Sequence, residues 1–148
     1  MSEAFRAAVT ADVPHLLELQ HAFYSSEGYP WKRDSMERGM LRLIADPLLG
    51  RVFVAGGGET LDGYLVLAFG FSLEFGGRDA FVDELYVRPE ARGRGLGTVA
   101  LAVAERACVE AGIVALHLEV EDENDRARQL YLRHGYSVHS RHLMTRRL

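Results

Sequence analysis

Apolar positions recur along this chain in two periods, and together they lay out alternating strands and helices. Residues 5–9 read as a short strand. Thr10 is placed to cap a following helix, and Asp12 suits its positive first turn. Val13, Leu16, Leu17, Leu19 and Phe23 give that helix one apolar side, and it ends near Glu27-Gly28-Tyr29-Pro30. Asp34 and Glu37 form an Asp-x-x-Glu start that resembles a capping box. Met36, Met40, Leu43 and Ile44 then follow at helical spacing until Asp46-Pro47, where proline disfavours helical geometry in the residue before it.

Strands are expected next over 52–55, 64–73 and 80–87. Gly56-Gly57-Gly58 with Asp62-Gly63 marks the first turn between them, Phe75-Gly76-Gly77-Arg78 the second, and Arg88-Pro89 ends the last strand. A third helix begins near Gly95. Its stripe of Leu96, Val99, Ala100, Val103, Ala104, Ala107, Cys108 and Ala111 contains small residues that allow close packing on a sheet, and Gly112 stops it. Residues 114–120 alternate Leu116, Leu118 and Val120 with His117 and Glu119, as a strand does. Asn124 caps a fourth helix with Ala127, Leu130 and Tyr131 on its apolar face, and Gly135 ends it. Residues 136–147 are expected to hold one or two last strands. This order predicts an α/β fold in a single domain, 1–148, with a mixed central sheet of six to seven strands flanked by about four helices.

Composition narrows the partners. The chain has 148 residues, 48% hydrophobic and 26% charged, enough for a packed core. A formal net charge of −4 argues against a general nucleic-acid binder and leans toward a cationic substrate. The first six residues lack a basic segment followed by an apolar run, so no signal peptide is expected. The most apolar stretch, 64–71, is too short to span a bilayer, so no membrane partner is expected. Cys108 stands alone, which excludes an internal disulfide framework, and the expected compartment is the cytoplasm.

The chemistry concentrates at Arg92-Gly93-Arg94-Gly95-Leu96-Gly97, between a strand and a helix start. Its glycines let successive backbone N–H groups turn toward one point. The helix start adds roughly half a positive charge there, an arrangement suited to a pyrophosphate. Arg92 and Arg94 can add charge-assisted hydrogen bonds. The turn is not a Walker loop, for Gly-Lys-Ser/Thr is missing. Nor is it a Rossmann fingerprint, for position 98 is Thr98 instead of glycine.

Arg92-x-x-Gly95-x-Gly97, following a strand and opening a helix, resembles the acetyl-CoA motif of the GNAT superfamily of N-acetyltransferases. Asn124, Ala127, Leu130-Tyr131 and Gly135-Tyr136 resemble that family's second motif. The two motifs cover 82–136, and the upstream strand and two helices match the family's order.

The resemblance implies direct attack of an amine on the thioester of acetyl-CoA. Gly93, Gly95, Leu96, Gly97 and Thr98 would hold the pyrophosphate, with Arg92 and Arg94. Leu85, Tyr86 and Val87 would pair with the pantetheine arm like an added strand, between two strands that splay apart. The Leu85 N–H would stabilise the oxyanion, and Asn124 would contact the arm or simply cap its helix. An alkylamine resembles lysine, with a pKa of about 10.4, so a base must remove its proton. Asp83 and Glu84 are adjacent and point to opposite faces of their strand; Glu84 is preferred as base, with Asp83 as the alternative. Tyr131 matches the family's general acid.

Glu27, Tyr29, Pro30 and Trp31 fall where relatives close over the acceptor and could form a cation-binding wall; Glu74 could also reach it. A packed loop and a hairpin charge are the plainer readings. Six histidines show no zinc spacing, so no metal is expected. The expected acceptor is a primary amine of a small molecule, such as a polyamine or aminophosphonate. A protein N-terminus or lysine is the alternative, and so is a non-catalytic acyl-CoA-binding domain. A homodimer is compatible with the family, although no interface motif is visible.

Overall fold

The computed structural model describes residues 4–57 and 59–148. Met1, Ser2 and Glu3 lie outside the described residues, as does Gly58 of the expected glycine turn. Two compact units make up the chain, Met1–Leu118 and Glu119–Leu148.

The first unit is a sheet covered on both faces. Its strands are β1 (Phe5–Ala7), β2 (Gly50–Ala55), β3 (Gly63–Ser72), β4 (Gly77–Val87) and β5 (Ala115–Leu118). They lie in that spatial order, antiparallel except for the parallel β4–β5 pair. The helices are α1 (Val13–Glu27), α2 (Arg33–Ala45) and α3 (Leu96–Glu110). Alternation along β3 divides the core. Tyr64 and Val66 join Val13, Leu16, Leu17 and Met40 on the α1–α2 face, whereas Leu65 and Leu67 join Ala100, Val103, Ala104 and Ala107 on the α3 face.

Helix starts differ from expectation. A 3-10 turn, Thr10–Asp12, precedes α1, so Thr10 caps no α-helix. The Asp12 carboxylate takes both Arg6 guanidinium donors at 2.8 Å and the Val9 N–H at 2.8 Å. It serves the β1 connection because the 3-10 turn has already started the helical path. Likewise α2 begins at Arg33, which puts Asp34 inside the first turn and makes Glu37 an i,i+4 partner of Arg33 instead of a capping-box residue.

The second unit contains α4 (Asp125–Arg133), whose Asn124 side chain accepts the Ala127 N–H at 3.2 Å as a helix cap. The expected last strands over 136–147 do not form, and the described sheet has five strands, not six to seven. A strand exists only where a neighbour completes its ladder, and its register needs a buried face. Val138, Leu143 and Met144 are 71%, 72% and 91% exposed, so nothing specifies a register there.

Candidate active site

The site is built where β4 changes its path. Its register with β3 shifts between Val66 and Leu67: Glu84 opposes Val66, and Val82 opposes Leu67. Asp83 is therefore the extra residue of a β-bulge, and it is exposed. Glu84 shares the α1–α2 face with Tyr64 and Tyr86, while Asp83 is exposed and its charge acts on the Tyr24 hydroxyl.

On that face Glu84 is held by donors from two other elements. Tyr64 of β3 donates to Oε1 at 2.7 Å. From α1, Tyr24 donates to Oε2 at 2.6 Å, and Gln20 Nε2 donates to Oε1 at 3.0 Å. Gln20 in turn accepts the Trp31 Nε1–H at 3.2 Å, and Trp31 stacks on His21 with centroids 4.3 Å apart. Burial, followed by the Glu84 hydrogen bond, pushes the Tyr24 hydroxyl well above the usual phenol range. In Tyr64 burial and then the Glu84 charge do the same. Gln20, Tyr24 and Tyr64 carry no motif. The available signal was two polar residues, i and i+4, on the otherwise apolar side of α1.

The same bulge ends the β4–β5 ladder. Pairing runs from Asp79↔Ala115 to Val82↔Leu118 and no further. A Cβ added to Gly63 would lie 2.7 Å from the Tyr86 carbonyl, so that carbonyl faces β3. Backbone groups alternate along a strand, so those of Leu85 and Val87 face the opposite, open edge. The Val87 carbonyl accepts the Arg92 Nε–H at 2.9 Å, and the Arg92 guanidinium lies 5.6 Å above the Tyr86 ring. Arg92 thus ties the glycine turn to the strand end, while Arg94 is exposed.

Gly93 and Gly95 adopt φ of 80° and 78°, conformations that side chains rarely take. A Cβ at either would meet nothing within 4 Å, so the turn faces open space. Gly95 caps α3, and Leu96, Gly97 and Thr98 form its first turn, where N–H groups lack intrahelical acceptors. An anionic ligand fits such a turn.

The remaining candidates are dispersed. Glu27 ends α1, exposed, and Tyr29 meets Tyr24 edge-on at 5.8 Å. Trp31 is engaged with Gln20 and His21, as described. Glu74 sits in the β3–β4 hairpin, at the far end of β4 from Glu84. In the second unit, Tyr131 of α4 has its hydroxyl pKa raised by burial, and its ring lies 6.0 Å from Tyr136. Among the described residues no His, Cys, Asp and Glu side chains gather in a group able to hold a metal, and no helix is long and apolar enough to cross a membrane.

The sequence model of the acetyltransferase (GNAT) family matches residues 14–136. The chain belongs to this family. A GNAT protein of this size has recognisable relatives. It is 34% identical over 74 residues to the thialysine N-epsilon-acetyltransferase of Bos taurus, a match covering 50% of this chain and 43% of that enzyme. The chain thus spans less than half the length of that curated relative. An integron cassette protein from the mobile metagenome of Cole Harbour Salt Marsh shares 36% identity, with a TM-score of 0.86 over 98% of this chain and 90% of that one. A protein from Clostridium acetobutylicum solved with acetyl-CoA has the same fold, with a TM-score of 0.81, 19% identity, and coverage of 96% of this chain and 94% of its own.

Proposed function

We propose that this GNAT domain is an acetyl-CoA-dependent N-acetyltransferase that moves the acetyl group directly to a primary amine of a small molecule. The observation that carries this reading is the Glu84 carboxylate. It is fixed by Tyr24, Gln20 and Tyr64 beside the open edge of β4. A carboxylate on an aromatic-lined face suits an alkylammonium and can take its proton. Asp83, exposed on the bulge, is the alternative.

The other roles follow from placement. Gly93, Gly95, Leu96, Gly97 and Thr98 offer backbone N–H groups to the pyrophosphate, and Arg94 adds charge. Leu85 and Val87 supply ladder groups for the pantetheine arm. The Leu85 N–H is the donor for the oxyanion, a contact whose loss in enzymes costs on the order of 3 kcal/mol. Bound acetyl-CoA supplies the activated acyl group. Tyr131, whose hydroxyl pKa burial raises, is the residue that the family's second motif assigns to protonate the leaving sulfur. Asn124 caps α4, the helix that carries Tyr131.

A thiol-release screen with acetyl-CoA across polyamines, aminoglycosides, amino acids, aminophosphonates and peptides tests the reading. Release with a small amine, lowered about 100-fold or more by Glu84→Gln and far less by Asp83→Asn, is expected. Tight CoA binding with no release on any amine would mark a non-catalytic binding domain, and release on peptides alone a protein acetyltransferase.

A further inference from the structure

The hydrogen bonds around Glu84 distinguish its two oxygens. A carboxylate oxygen offers two lone pairs. Oε1 accepts from Tyr64 at 2.7 Å and from Gln20 at 3.0 Å, so both of its lone pairs are engaged. Those donors are sealed, since Tyr64 is 0% and Gln20 3% exposed. Trp31 fixes the Gln20 amide from behind, which keeps Nε2 turned toward Glu84. Oε2 has one short bond, from Tyr24 at 2.6 Å, with Gln20 farther away at 3.3 Å.

Tyr24 is the donor of the three that keeps exposed surface, near the C-terminal end of α1. Its hydrogen is directed to Oε2, which leaves the phenol oxygen's lone pairs to meet an incoming donor. An ammonium carries only donors. The bond between Tyr24 and Glu84 therefore already runs in the direction in which a proton has to travel. Asp83 and Tyr29 are the other ionisable groups that act electrostatically on this hydroxyl.

We infer that Tyr24 is a catalytic residue that relays the acceptor's proton to Glu84. Tyr24 Oη takes one proton from the R–NH3+ group while its own proton passes to Glu84 Oε2. The products of the step are R–NH2, an intact Tyr24 phenol and a neutral Glu84 carboxylic acid. Charge is conserved, because one ammonium and one carboxylate become two neutral groups. The inference rests on the proposed role of Glu84 as base.

The test uses the full chain with acetyl-CoA and three acceptor probes, S-(2-aminoethyl)-L-cysteine, spermidine and L-lysine. Steady-state kinetics and a proton inventory in H2O/D2O mixtures are measured for the wild type, Tyr24→Phe and Glu84→Gln. Two protons moving together give a bowed inventory in the wild type. Tyr24→Phe is expected to make it linear and to lower kcat about 10- to 100-fold, with the KM for acetyl-CoA and the thermal midpoint little changed. Wild-type kcat in Tyr24→Phe, or a bowed inventory retained there, overturns the relay even if Glu84→Gln is inactive. A Tyr24→Phe change confined to KM or thermal midpoint marks a structural role and overturns it too. Wild-type kcat in Glu84→Gln removes Glu84 as base and the relay with it. Absence of thiol release with all three probes overturns both.

Discussion

The Tyr64 hydroxyl lies 2.7 Å from Oε1 of Glu84, on a side chain with 0% of its surface exposed. This hydrogen bond links the buried core to the carboxylate proposed as base. It also has a consequence for stability at alkaline pH. Burial and the Glu84 charge raise the folded pKa of Tyr64 above its ordinary 10.0. Below pH ~10 both folded and unfolded chains hold this proton, and the stabilisation is complete. Above it the unfolded chain loses the proton first, so stability falls by about 1.4 kcal/mol per pH unit for this one group. Thermal melts at rising alkaline pH should show that fall, and Tyr64→Phe should flatten it. Equal slopes would refute the assignment.

At the acid end the corresponding pair is Arg6 and Asp12. The Arg6 hydrogen bond holds the Asp12 carboxyl below its ordinary 3.8. Its stabilisation is therefore present above that value and is lost as pH falls through the lowered folded pKa. Asp12→Asn should cost about 1 kcal/mol at neutral pH, a figure discounted because Arg6 is half exposed, and should weaken the acid dependence. Urea unfolding at neutral and acid pH measures both.

Gly95→Ala places a side chain at φ 78° on the cap of α3. Space is open there, so the penalty is conformational, about 1–2 kcal/mol. Relaxing that strain reorients the N–H groups of the turn. Calorimetry should show weaker CoA binding together with a thermal midpoint lowered by a few degrees. Unchanged affinity would remove the turn from the pyrophosphate site.

Tyr131→Phe removes a proton donor and little volume. Turnover should fall about 100-fold with acetyl-CoA affinity retained, because the lost contact matters when the thiolate leaves. Unchanged turnover with an accepted amine would refute the role given to Tyr131.

Burial pushes the Cys108 thiol up to about 11, and the side chain is 4% exposed on α3. It should therefore react with a disulfide reagent only after denaturation. A native-state thiol count near zero checks this, and it also leaves released CoA as the thiol that the transfer assay reads.

Much of the framework was legible in local pattern. Periodicity located β2, β3 and β4 and all four helices, since each buries one face against a layer, and burial writes a period of two or of 3.6. Gly95 and Gly112 were legible as punctuation because their positive φ depends on residue type. Tyr136 and Val138 promised a strand that does not form, because a ladder needs a partner and not only alternation.

By itself, then, the sequence determined the layered order of elements, the glycine turn at the start of α3 and the family motifs, all written within short windows. Only the tertiary structure decided which carboxylate faces the α1–α2 side and which donors hold it. The bulge leaves Asp83 exposed, and folding brings Gln20, Tyr24 and Tyr64 to Glu84 across separations of 64, 60 and 20 residues. Hydrogen bonds over such distances leave no periodic trace, because each partner needs only to be polar at one point on an apolar face.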